Sequence, residues 1–235
     1  MSGWKAKRFW KEASVTKADG GFAITLDGRP VRTPAKLPLV MPTEALAAAI
    51  AAEWDAQTGL IKPDTMPFTR TANSAIDKVA PQFDTVVDNL AGYGGTDLLC
   101  YRATDPQPLI DRQNAAWNPL LDWAASTCAA PLLAVPGVMF IAQQASALQN
   151  LHAAVAAQSP FQIAAFHDLV AISGSLILGL AVTRNRLTPD DAFGLSRIDE
   201  HWQAELWGVD EDAAVLEALK KQAFVHATRF YALCD

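Results

Sequence analysis

The alternation of hydrophobic and polar positions changes rhythm near residue 41. Before that point, "ASVTKADGGFAITLDGRPVRTP" sets short β-prone runs against the breaks "ADGG" and "LDGRP". Asp-Gly and Gly-Gly steps supply the positive φ that tight hairpins demand, so the first 41 residues are predicted to form a small antiparallel sheet. After Pro42, apolar residues return every four positions, at Leu46, Ile50 and Trp54, in an alanine-rich segment ending near Gly59. Thr43 suits its N-cap and Glu44 its first turn, which gives a helix with one buried stripe.

Helical spacing dominates from there. Pro63, Pro67 and Pro81 punctuate residues 60–95 and leave room for two helices. "PLIDRQNAAWNPLLDWAAS" gathers Trp117, Leu120, Leu121 and Trp123, with Pro119 expected to bend or restart the helix. "LLAVPGVMFIA" reads as a short extended piece. The segments "ASALQNLHAAVAAQS", "PFQIAAFHDLVAISGSLILGLAVTRN", "TPDDAFGLSRIDEHWQAELWG" and "DEDAAVLEALKKQAFVHATRFYALCD" each read as helical, bounded by Pro, Gly or acidic caps. Strands first and helices afterwards imply an α+β fold rather than a βαβ weave. The expected division is a β-rich domain with one helix over residues 1–60 and a mostly α-helical domain over 61–235, with the boundary within 60–100.

Composition narrows the function. With 51% hydrophobic and 19% charged residues and seven tryptophans, the chain is globular rather than disordered. A net charge of −6 argues against nucleic acid or an anionic membrane as partner. The opening "MSGWKAKRFWKEASV" lacks the apolar core of a secretion signal, and the longest apolar run, "LVAISGSLILGLAV", is too short to span a bilayer. Cys100, Cys128 and Cys234 are odd in number and far apart, which fits a reducing, cytoplasmic setting. Charge is uneven: residues 1–40 hold eight Lys/Arg against three Asp/Glu, and residues 187–216 hold one arginine against eight acids.

Catalytic signatures are missing. There is no GxxxxGK[ST] loop, "GYGGTD" fails the GxGxxG spacing, and His152, His167, His201 and His226 form no HxxxH or HExxH pair. No GxSxG elbow is present, and Ser173 and Ser175 read as small residues that let apolar helices approach. No catalytic residue, metal, cofactor or small-molecule substrate is assigned. His167-Asp168 is the one acid-base candidate and would underlie a small hydrolase, although a helical histidine is commonly a packing residue. Asp199, Glu200 and Glu205 interleave with Trp202 and Trp207 on one helix, a mixture that fits either an interaction surface or a solvated face. In "GYGGTDLLCYRA", Gly94 or Gly95 is expected to end a helix at positive φ, and Thr96 and Asp97 to hold the turn. Leu98, Leu99 and Tyr101 are expected in the core, with Cys100 a small buried residue rather than a nucleophile.

Eight phrases, "KRFWKEASV", "LDGRPVRTP", "MPTEALAAAIAAEWDAQ", "MPFTRTANSAIDKV", "YGGTDLLCYRA", "RQNAAWNPLLDWA", "SLILGLAV" and "RIDEHWQAELWG", occur in an order that resembles the assembly chaperone family of the F-type ATP synthase soluble sector. That family occurs in mitochondria and alphaproteobacteria. The resemblance implies a non-enzymatic chaperone with a small β domain and a larger helical one. It implies a partner, the free alpha subunit, held against aggregation until the beta subunit replaces it; a generic apolar-surface holdase is the alternative. It places the protein in a bacterial cytoplasm, or in the mitochondrial matrix if eukaryotic. It matches Asp199-Glu200 to the family's acidic pair, and with Trp202, Glu205 and Trp207 these are the client-binding candidates. Trp54, Asp97, Tyr101, Gln113 and Trp117 match it as structural positions. Asp199 stands where glutamate is more usual and Asn118 where an acid is expected.

Overall fold

The Asp27-Gly28 step does what its residues suggest: both take positive φ, 47° and 78°, and fold the chain back on itself. The computed structural model describes residues 7–235, and what the sequence suggested for residues 1–6 lies outside them. Two compact units divide the chain, the first comprising residues up to 83 with 160–165 and 229–235. In it β1 (Ala13–Ala18) pairs antiparallel with β2 (Gly21–Leu26) from Ala13↔Leu26 to Ala18↔Gly21. Beyond the turn, β3 (Arg29–Pro30) pairs with β2, as does β4 (Val40–Met41), which completes a four-stranded antiparallel sheet. The Asp27 carboxylate accepts from the Glu12 and Lys11 amides at 3.0 Å, and these donors hold its pKa below the ordinary value.

Helix α1 (Glu44–Asp55) starts at Thr43, whose hydroxyl accepts the Leu46 amide at 3.1 Å. Its stripe of Leu46, Ile50 and Trp54 packs into a core with Ile24, Leu26 and Met41. The Trp54 ring meets Trp10 edge-on, with centroids 5.3 Å apart. The helix stops short of Gly59 because the buried Gln57 turns its side chain onto the Glu53 carbonyl, the Thr65 hydroxyl and the Lys62 amide. Helix α2 (Pro67–Ser74) is capped from α1: the Glu53 carboxylate accepts the Phe68 and Thr69 amides at 2.7 and 2.8 Å. Burial nonetheless pushes the Glu53 pKa up. Pro81 lies within a short helical turn, Ala80–Gln82, that directly continues another, Ala75–Val79, instead of breaking the run.

The second unit, residues 84–159 and 166–228, is helical. Its elements in order are α3 (Phe83–Gly92), β5 (Tyr101–Arg102), α4 (Gln107–Thr127), β6 (Val135–Pro136) and α5 (Ala145–Ala156). Then follow α6 (Pro160–Ser173), which belongs here from residue 166, α7 (Leu176–Thr183), α8 (Pro189–Leu195), α9 (Ile198–Trp207) and α10 (Glu211–Ala232), which belongs here up to residue 228. Pro119 does not restart α4, which runs through it. Burial of Trp117, Leu120, Leu121 and Ala124 outweighs the roughly 3 kcal/mol that an interior proline costs. Two segments that read as single helices are pairs. Gly174, at φ 70°, separates α6 from α7, and a turn at Ser196-Arg197 separates α8 from α9. Helix α7 is apolar on every side and buried from Leu176 to Val182, as such a helix must be. Among the described residues no helix is long and apolar enough to cross a membrane.

Asp97 ties this unit together. Fully buried, its carboxylate accepts the Leu99 amide at 3.0 Å, the Ser175 hydroxyl at 2.7 Å and the Ile177 amide at 3.0 Å. Ser175 also caps α7 by accepting the Leu178 amide, so it is a hydrogen-bonding residue, not the inert spacer its size suggested. Burial raises the Asp97 pKa from 3.8 to about 6 against the pull of those donors. Gly94 and Gly95 do not adopt the positive φ expected of them; a short helical turn, Tyr93–Gly95, follows α3. Gly94 is needed for proximity instead, since a Cβ there would lie 2.8 Å from Leu151 Cδ1. Leu99 and Cys100 are buried, and burial lifts the Cys100 thiol to about 12, far from nucleophilic use. Leu98 and Tyr101 stay partly exposed.

Asp97→Ala leaves two amides and a hydroxyl without an acceptor and is expected to lower Tm by roughly 5–10 °C. The pH test uses Asp97→Asn. Between about 4 and about 6 the native state binds the extra proton, so this group's contribution to stability falls as pH rises through that window. Urea unfolding across the window should show wild-type stability dropping by on the order of 3 kcal/mol relative to Asp97→Asn. Parallel pH profiles for the two proteins would contradict the account of burial.

Candidate functional site

Glycine ends α9 at Gly208, where φ is 90°, and leaves the last helical residues, Leu206 and Trp207, 56% and 79% exposed. Those residues border a groove of about 630 Å³ within the second unit. Its walls are β5 and the following turn through Pro106, Leu109 and Gln113 of α4, Gly137-Val138 after β6, and the Asp199, Trp202, Gln203, Leu206 and Trp207 side of α9.

Two side chains of α4 fix α9. Gln113 is buried; its oxygen accepts the Ala103 amide at 2.7 Å and its nitrogen donates to Asp199 Oδ1 at 2.6 Å. One amide therefore joins the end of β5, α4 and α9. From the neighbouring position of α4, the Arg112 guanidinium stacks on the Trp202 ring at 4.9 Å and bonds Glu205 through both terminal nitrogens, at 2.7 and 2.9 Å. The Arg112 bond holds the Glu205 pKa down and raises that of Arg112. Both groups are exposed, so the pair orients α9 more than it stabilises the fold.

In the floor of the groove, Arg102 is buried with no carboxylate partner among the described residues. Its Nε donates to the Leu99 carbonyl at 2.9 Å, its Nη1 to Asn114 Oδ1 at 3.0 Å, and the guanidinium lies over Trp117 at 5.2 Å. Its Nη2 is buried without a hydrogen bond among the described residues, and burial lowers the Arg102 pKa. Trp117 in turn donates its indole N–H to the Leu195 carbonyl at 2.9 Å.

Three of the five client-binding candidates, Asp199, Trp202 and Trp207, line the groove together with Tyr101 and Gln113. Glu200 and Glu205 do not line it: Glu200 pairs with Arg197 and Glu205 with Arg112. Asp97 and Trp117 are buried supports, and Trp54 belongs to the core of the first unit. His167 Nδ1 and Asp168 Oδ1 do meet, at 3.2 Å, and that contact raises the His167 pKa. Both side chains are about half exposed, and neither lines the groove. Sequence reading missed Arg102, Leu206 and Val138 as groove residues. The only signal for the last was Pro136-Gly137, a turn marker inside an otherwise apolar run.

Gln113→Ala removes the tie between β5 and α9 and exposes a free amide and carboxylate to repair by water. It should cost about 1–3 kcal/mol of stability and speed hydrogen exchange in α9 more than in α7. Uniform change along the chain would argue that the bond has no local role.

Comparison with known proteins places these features in context. The model of the ATP12 chaperone protein family matches residues 7–125, which include Trp54, Asp97, Tyr101, Gln113 and Trp117 but not α9. Structural similarity continues through the rest. The crystal structure of Atp12 from Paracoccus denitrificans is 52% identical, covers 98% of this chain and 99% of that one, and superposes with a TM-score of 0.95. An aspartate-to-lysine mutant of the same Atp12p gives 51% identity, 98% coverage of both chains and the same TM-score. The Atu1473 protein of Agrobacterium tumefaciens is 39% identical over 97% of this chain and 86% of that one, with a TM-score of 0.93. The mitochondrial protein atp12 of Schizosaccharomyces pombe is 24% identical over 221 residues, 88% of this chain and 75% of that protein. With more than half of its length inside the family match and its fold shared almost end to end, the chain belongs to the ATP12 chaperone family.

Proposed function

We propose that the protein is an assembly chaperone of the F-type ATP synthase that binds the free alpha subunit through the α9 groove and keeps it from aggregating until the beta subunit takes its place. The observation that carries this reading is the groove itself, where exposed Leu206 and Trp207 stand beside Asp199 on a helix oriented from α4. A ring subunit without its neighbour exposes an apolar face that drives aggregation. A holder must cover that face and then let go, which calls for a modest interface with a polar component rather than a large apolar one.

Asp199 and Glu200 have different parts in this reading. Asp199 is presented inside the groove, its Oδ1 fixed by Gln113, whereas Glu200 points away and pairs with Arg197. The aromatic anchors are Trp202, half-buried under Arg112, and Trp207, nearly free in solvent. Covering a side chain of that size is the kind of contact that dominates interface energies.

Purified alpha subunit should be retained by the immobilised wild-type protein. Reversing Asp199 and Glu200 together to lysine should weaken that binding about tenfold to a hundredfold, with the far-UV dichroism unchanged. Failure of the wild type to retain alpha subunit would refute the proposal. Equal protection of unrelated aggregating proteins would replace it with a generic holdase.

A further inference from the structure

The groove has a second wall that the sequence candidates do not include. Val138, Met139 and Phe140 are 89%, 80% and 68% exposed, three consecutive large apolar side chains in solvent. Val138 lines the groove, and the chain carries the apolar surface outward from it through Met139 and Phe140.

This ledge is held at its base. Strand β6 pairs in parallel with β5, Tyr101↔Val135 and Arg102↔Pro136, and the Gly137 amide donates to the Arg102 carbonyl at 2.8 Å. On the far side of the loop, the Gln143 side chain does the work of a strand partner. Its oxygen accepts the Leu133 amide at 2.7 Å and its nitrogen donates to the Leu133 carbonyl at 2.9 Å. Gln143 itself is buried. A loop closed at both ends presents its tip at a lower ordering cost than a free one would.

The charge around the groove is one-sided. Its charged lining residues are Arg102, Asp105 and Asp199. Arg102 is only 7% exposed and faces Trp117, Leu99 and Asn114, so the charge offered to a ligand comes from the two carboxylates. Gln113 takes Asp199 Oδ1, and Oδ2 has no hydrogen bond among the described residues. A half-satisfied carboxylate in a groove lined also by Val138, Leu206 and Trp207 is complementary to a segment that carries a cation among apolar side chains.

We infer that residues 138–140 form a second client-contact ledge, and that the groove takes a segment of the client with a lysine or arginine directed at Asp199 and large apolar side chains against Val138–Phe140 and Leu206-Trp207. This rests on the alpha subunit being the client. The ledge supplies apolar contact and Asp199 sets the register of the bound segment.

The test replaces Val138, Met139 and Phe140 together with serine, which removes apolar surface without adding charge. Because all three are exposed, Tm should hold within about 2 °C. Binding of purified alpha subunit should weaken at least tenfold. A photo-crosslinking residue at position 139 in the otherwise wild-type protein should capture an alpha-subunit peptide that contains lysine or arginine among apolar residues. Wild-type binding with no loss, or less than a twofold loss, in the serine variant overturns the ledge and leaves the proposed function standing. Capture of a second copy of this chain, or of an acidic peptide, also overturns it. Wild-type protein that does not bind alpha subunit removes the proposed function and the ledge with it.

Discussion

A carboxylate buried among apolar side chains is costly unless donors surround it, and the helical unit is organised around one such group. Asp97 gathers the turn that follows α3 and the first amides of α7 onto two oxygens. The turn at Leu98–Cys100 leads directly into β5, and β5 supplies Tyr101 and Arg102 to the groove and the pairing partner of β6. Position is thus transmitted outward from the most buried helix to the surface that carries the candidate contacts. Desolvation and hydrogen bonding oppose each other at Asp97, and desolvation is the larger.

The groove repeats the same economy with weaker parts. Gln113 is neutral, so it can order Asp199 without neutralising it, whereas a lysine there would have silenced the carboxylate. Arg112, which does not line the groove, engages Glu205 and the lining residue Trp202, which keeps a cation close to the acidic helix. Arg102 is set below, its charge balanced by a carbonyl, an amide oxygen and an indole face. The outcome is a surface whose accessible charge is acidic although two arginines stand within it or beside it.

Local chemistry made the first unit easy to read. Hairpin turns at Asp27-Gly28, a threonine cap at Thr43 and a stripe repeating every four residues are each decided by neighbours in sequence, and each appears where it was expected. The helical unit was legible as helices, yet their breaks were not. Gly174 and Ser196-Arg197 lie inside apolar or amphipathic runs that could continue as helix, and the break at Gly174 depends on Asp97 reaching Ser175 from 78 positions away. The acidic tryptophan helix was legible as a surface of mixed character, but its division into groove-facing and outward residues depends on α4. Val138–Phe140 was the least legible of all. An apolar run after Pro-Gly is ordinarily core, and nothing local in the sequence announces the Gln143 bonds to Leu133 that close this loop at its base.

That clamp separates conformation from content. The base of the loop is closed by one amide side chain acting on one backbone residue, and by a parallel pairing of two residues with β5. None of these bonds involves the side chains of residues 138–140. The side chains at the tip can therefore be exchanged, as those of an antibody loop can, while the frame beneath them stays unchanged.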